Sequence, residues 1–158
     1  MENYHVHQKQ LSTICEIEIT YHPDFRISDC PKADSSEDLY SILREHWNLN
    51  QIALREEFKI ILLSTNLRIL GISSIASGGM SAVSIDSKLI FSTALLANAR
   101  GIVLAHNHPS GNLIPSQSDI NITKKIKDGA KLLDIEVFDH IILTKDNGYY
   151  SFADDGIL

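Results

Sequence analysis

The chain has 158 residues, 44% of them hydrophobic and 22% charged, which fits one globular domain around one core. No apolar run reaches the ~18 residues of a membrane helix, and the start, MENYHVHQKQ, lacks the basic and apolar segments of a secretion signal. A cytoplasmic location is therefore expected, and the net charge of −6 argues against a protein built to grip phosphates.

In chain order, residues 13–21 (TICEIEITY) alternate apolar and polar side chains, the period of a half-buried strand. A loop with Pro23 and Pro31 follows, and Ser35-Ser36-Glu37-Asp38 reads as a capped helix start running to about Trp47, with Leu39, Ile42 and Leu43 inward. Strands are predicted at Phe58–Leu63 and Arg68–Ser73, joined by Ser64-Thr65-Asn66 into a hairpin. Gly78-Gly79 marks a bend. A helix is predicted over Asp86–Ala99, with Leu89, Phe91, Leu95 and Leu96 as its large apolar residues and Gly101 as its stop. Ile102–Ala105 is a short buried strand, Ser116–Leu133 a long amphipathic helix, and Val137–Leu143 a strand. The strand turns at Asp146-Asn147-Gly148 and returns through Tyr149–Phe152. The order β-α-β-β-α-β-α-β-β specifies an α/β layer structure with a mixed sheet.

Cys15 and Cys30 form no C-x-x-C pair and read as two reduced thiols. Lys124, Lys125, Lys127 and Lys131 read as a solvated helix face.

The stretch that carries chemistry is AHNHPSGNLIPSQSD, Ala105–Asp119. His106 and His108 are two apart, so on an extended backbone they point to one side. Ser116 and Asp119 are three apart in the first turn of a helix and share a face. Pro109, Gly111 and Pro115 allow the loop between them to fold back, so two imidazoles and a carboxylate can converge. Two His, one carboxylate and an open position is the donor pattern of a catalytic zinc site. The second H-x-H, His5-Val6-His7, has no carboxylate at matching spacing and reads as a surface pair. Ser116-x-x-Asp119 also reads as a helix N-cap with an acid near the positive helix end.

H-x-H, seven residues, then S-x-x-D resembles the JAMM motif of the JAB/MPN metalloprotease superfamily, and HNHPSGNLIPSQSD is similar to its RadC branch. EEFKIILLSTNLRIL, Ser77-Gly78-Gly79, Phe138-Asp139-His140-Ile141-Ile142 and Tyr150-Ser151-Phe152 extend the resemblance over about two thirds of the chain, from Glu56 to Leu158. The resemblance implies a cytidine-deaminase-like α/β/α sandwich. It also implies one Zn²⁺ on His106, His108, Asp119 and a water, with Ser116 bonding that water or the developing oxyanion. The general base it implies is Glu56, with Glu57 one position away as the alternative. His140, in the family's Asp-His pair, reads as a core residue or as a support for the ligands.

The activity so implied is that of a zinc metallopeptidase or isopeptidase in which metal-activated water attacks an amide of a peptide or isopeptide substrate. A non-catalytic metal-containing binding module for a DNA-processing or mobile-element partner is the alternative, and a metal-dependent nuclease a weaker one. Full-length RadC proteins carry a helix-hairpin-helix region that is not found here, so the family's DNA-repair label is not carried over. Residues 1–55 read as an N-terminal strand-plus-helix extension packed on the same domain, and 56–158 as the metal-binding domain. The absence of C-x-x-C argues against a zinc deaminase of the same fold.

Overall fold

A computed structural model of the chain describes residues 24–78, 84–146 and 148–158. The strand expected at 13–21, the His5–His7 pair, Cys15, Gly79 and Asn147 lie outside them. The described elements are a 3-10 turn (Ile27–Asp29), α1 (Ser36–Glu45), β1 (Glu57–Leu63), β2 (Ile69–Ser77), α2 (Ser87–Leu96), β3 (Gly101–Asn107), α3 (Gln117–Lys131), β4 (Glu136–Leu143) and β5 (Tyr149–Ser151).

The sheet runs β2-β1-β3-β4-β5. β1 pairs antiparallel with β2 and β3, β3 runs parallel to β4, and β5 returns antiparallel, so the sheet is mixed. Alternation along the strands separates two cores. On one face Ile61, Leu63, Val103, Ala105, Ile141 and Leu143 pack with Leu39, Leu43 and Trp47 of the α1 region. On the other Phe58, Ile60, Leu62, Ile102, Leu104 and Val137 pack with Ile90 and Ala94 of α2 and Ile126 and Ala130 of α3. This is a three-layer α/β/α sandwich. β3 is buried along its whole length, as expected of a central strand covered on both faces.

Four details depart from the sequence reading. β2 extends to Ser77 and not Ser73, because its backbone stays paired with β1 through Glu57↔Ser77 despite the serines. The second helix ends at Leu96 and not at Ala99, and Gly101 is not its stop. Asn98 takes a left-handed conformation (φ 50°), and the N–H groups of Asn98 and Ala99 donate to Leu95 and Ala94 (3.0 and 2.9 Å), closing the helix as a Schellman turn in which asparagine replaces the usual glycine. Gly101 instead opens β3, where a Cβ would collide with the Phe138 ring. The buried residues of α2 are Ile90 and Ala94, while Leu89, Leu95 and Leu96 are exposed.

The fourth detail positions the site. Ile102 pairs with Val137, but Val103 pairs with Asp139, so Phe138 is an extra residue on β4. Such a bulge resets the alternation of everything after it. Val137 lies on the α3 side. Strict alternation would turn His140 to the α1 side; after the bulge it sits against Thr123 of α3.

Candidate metal centre

Three chain segments meet where β3 ends and α3 begins. His106 is on the last turn-in of β3, one residue before its end, and His108 is the first residue beyond it. His106 lies opposite Phe58 and beside Ile142. The loop after His108 turns back at Gly111, whose φ of 79° suits a residue without Cβ, and Gly111 N–H donates to His108 O at 3.1 Å. Ser116 then caps α3. Its Oγ accepts from Asp119 N–H (3.2 Å), and its own N–H and Oγ–H donate to Asp119 Oδ2 (2.7 and 2.6 Å). This reciprocal cap sets the rotamer of Asp119, so the residue that completes the cap is also the one turned toward the two histidines.

The donors converge. His106 Nε2 and His108 Nε2 are 2.9 Å apart; Asp119 Oδ1 is 3.3 Å from the first and Oδ2 3.5 Å from the second. Donors bound tetrahedrally to a cation about 2.0–2.1 Å away would stand roughly 3.3 Å from one another. His106 and Asp119 are buried and His108 half-buried, and the three together can hold a metal ion.

The ring protonation supports this. His108 Nδ1 lies 2.7 Å from Asn112 O, and a carbonyl only accepts, so Nδ1 carries the hydrogen. Thr123 Oγ–H donates to Asp119 O (2.6 Å), so His140 Nδ1–H must donate to Thr123 Oγ1 (2.6 Å). His140 Nε2 is then an acceptor, and His106 Nδ1–H donates to it at 2.8 Å. Complete burial lowers the His140 pKa well below the ordinary histidine value, consistent with a neutral ring. Both remaining lone pairs, on His106 Nε2 and His108 Nε2, face the carboxylate and each other. Two lone pairs at hydrogen-bond distance need a positive charge between or beside them, a proton or a cation. The hydrogen bond with Asp119 raises the His108 pKa against the opposing effect of burial. Burial alone would raise the Asp119 pKa, but hydrogen bonds from His106, His108 and Ser116 hold it well below the usual carboxylate range. The donor set, two imidazoles and an ionised carboxylate, fits a divalent cation of borderline softness.

Glu56 and Glu57 part ways. Glu57 turns to Arg55 (3.1 Å) and Lys59 (3.8 Å). Glu56 is half-buried, and it lies within the fields of His106, Asp119 and His108; burial is the main reason its pKa is raised. It is not among the three residues whose donor atoms cluster. Ser116 is exposed at the mouth of the site.

Comparison with known proteins agrees with this geometry. Residues 33–157 match the RadC-like JAB domain. The chain belongs to that family. The match takes in α1 as well as the segment from Glu56 onward. RadC-like relatives include UPF0758 proteins of Flavobacterium johnsoniae (38% identical, 80% of this chain and 53% of that protein), Desulfitobacterium hafniense (38%, 81% and 55%) and Thermotoga maritima (36%, 80% and 55%). The chain thus spans about half the length of the relatives it matches.

The motif's spacing alone leaves His140 between a core residue and a support for the ligands, and it marks neither Thr123 nor Asn107. Thr123 lies four residues after Asp119, one helical turn along the same face, which is the signal that could have found it. His140 gave no such signal, because its orientation depends on the bulge.

Proposed function

We propose that this RadC-like JAB domain is a zinc-dependent hydrolase of amide bonds, a metallopeptidase or isopeptidase acting on a peptide or isopeptide substrate. The observation that carries the reading is the pair of imidazoles whose outer nitrogens are both tied up as donors, leaving two lone pairs and one carboxylate aimed at a common point. Zinc, when bound there, supplies a Lewis acid that acidifies a water and polarises a carbonyl. His106, His108 and Asp119 hold it, and the Thr123–His140 chain keeps His106 in the tautomer that can do so. Glu56 takes a proton and returns it to the leaving amine, a role favoured by a carboxylate whose proton affinity burial has raised. Ser116 turns its hydroxyl hydrogen from Asp119 to the oxygen of the scissile carbonyl.

The test is a proteomic cleavage profile of the zinc-loaded chain beside Glu56→Gln. The glutamine keeps the shape but cannot take a proton. Its zinc content should equal that of the wild type, while cleavage falls by a factor on the order of 10²–10⁴. Loss of zinc would make Glu56 a ligand. Full activity would place the base elsewhere and contradict the assignment.

A further inference from the structure

Asn107 stands between the two metal-directed histidines but points to the opposite face of β3 and is fully buried. Both of its N–H groups and its carbonyl oxygen are engaged. Nδ2 donates to Ile52 O (2.6 Å) and Arg55 O (2.9 Å), and Oδ1 accepts from Glu57 N–H at 2.8 Å. Arg55 C=O and Glu57 N–H are the polar groups of the two peptide units that flank Glu56. The Glu56 carbonyl itself accepts from Gly78 N–H at 2.9 Å.

The β1–β3 ladder ends at Phe58↔His106. Beyond that pair the backbone groups of the Glu56 segment would need other partners, and the side-chain amide of Asn107 stands in for the missing strand. We propose that Asn107 is a positioning residue that clasps the peptide groups on both sides of Glu56 and so fixes the Glu56 carboxylate relative to His106, His108 and Asp119. The connection is short, since Asn107 is covalently joined to both histidines. The residue type follows from the contacts. Two donors and one acceptor are required; aspartate lacks the donors and alanine lacks all three.

The consequence at the metal rests on the reading of Glu56 as the base, whereas the clasp does not. Two measurements on the zinc-loaded chain separate them. The first is amide exchange at Glu57. In Asn107→Ala it should quicken at least tenfold while Ile61, inside β1, stays protected; unchanged Glu57 exchange would overturn the clasp. The second is the affinity of acetohydroxamate, a probe whose two oxygens chelate zinc and whose proton passes to a neighbouring carboxylate. Loss of that charged hydrogen bond should weaken binding by roughly tenfold or more in Glu56→Gln, and by a similar factor in Asn107→Ala and Asn107→Asp with zinc retained. If the alanine variant does not fold, Asn107→Asp carries this arm. The double variant Glu56→Gln/Asn107→Asp should be no weaker than Glu56→Gln alone, because the two changes remove one interaction. Losses that add, or full affinity in both Asn107 variants, would overturn the positioning role. Full affinity in Glu56→Gln alone would overturn the base assignment and the link from Asn107 to the metal.

Discussion

At His106 the nitrogen that faces away from Asp119 is held by another imidazole and not by a carbonyl. His140, Thr123 and the Asp119 carbonyl form a chain that runs from one proposed ligand to the backbone of another. A ligand imidazole whose second nitrogen is anchored binds its metal more tightly, and losing the anchor commonly costs 10–100-fold in affinity. His140→Phe should preserve the fold, because the ring already stacks on Phe152 at 4.7 Å between centroids. It leaves His106 Nδ1–H without an acceptor. Zinc affinity, measured by competition with a chelator of known strength, should fall within that range, and unchanged affinity would contradict the chain. At this scale the sequence was most informative where residues are close in number. His106, His108, Ser116 and Asp119 were legible from spacing. Asn107 and His140 were not, since the contacts that give them a role reach far along the chain: Asn107 to Ile52, Arg55 and Glu57, and His140 to His106.

Elements were legible where a side chain announces their ends. Ser35 and Ser116 cap α1 and α3 as their positions suggest. The bulge in β4 has no such mark, and its stability depends on Asp139. This buried carboxylate accepts from His140 N–H (2.7 Å), Ala153 N–H (2.9 Å) and Ser151 Oγ–H (2.6 Å), tying the bulge to the turn after β5. Burial raises its pKa even against these bonds. A carboxyl with a folded pKa above its unfolded one stabilises the fold fully below the unfolded value, and that contribution is lost as pH rises through the folded value. Asp139→Asn removes the charge and keeps the acceptor for both N–H groups. In the presence of a chelator, the Tm of the wild type relative to Asp139→Asn should therefore fall as pH rises from the ordinary aspartate range through the raised one. Calorimetry across that range checks it; a relative Tm that rises with pH would reverse the sign and contradict the account. The C-terminal end of α2 misled for a related reason. Its termination depends on Asn98 adopting positive φ, while the conspicuous Gly101 serves the close approach of Phe138.

Across the molecule, the mixed sheet and its two helical layers were legible because each core face follows a simple period: alternation in the strands, interrupted at the β4 bulge, and three-to-four spacing in α1 and α3. No helix among the described residues is long and apolar enough to cross a membrane. The sandwich sets its donors at one end of the central strand, where β3 gives way to the loop leading into α3, and the RadC-like match covers that whole arrangement. The roles proposed for Glu56, Ser116 and the Thr123–His140 chain depend on a cation held by His106, His108 and Asp119. Elemental analysis of the purified chain beside His106→Ala and His108→Ala tests this most directly. Close to one zinc per chain is expected in the wild type and a large loss in each variant, and full retention of metal in both variants would contradict a site built on these residues.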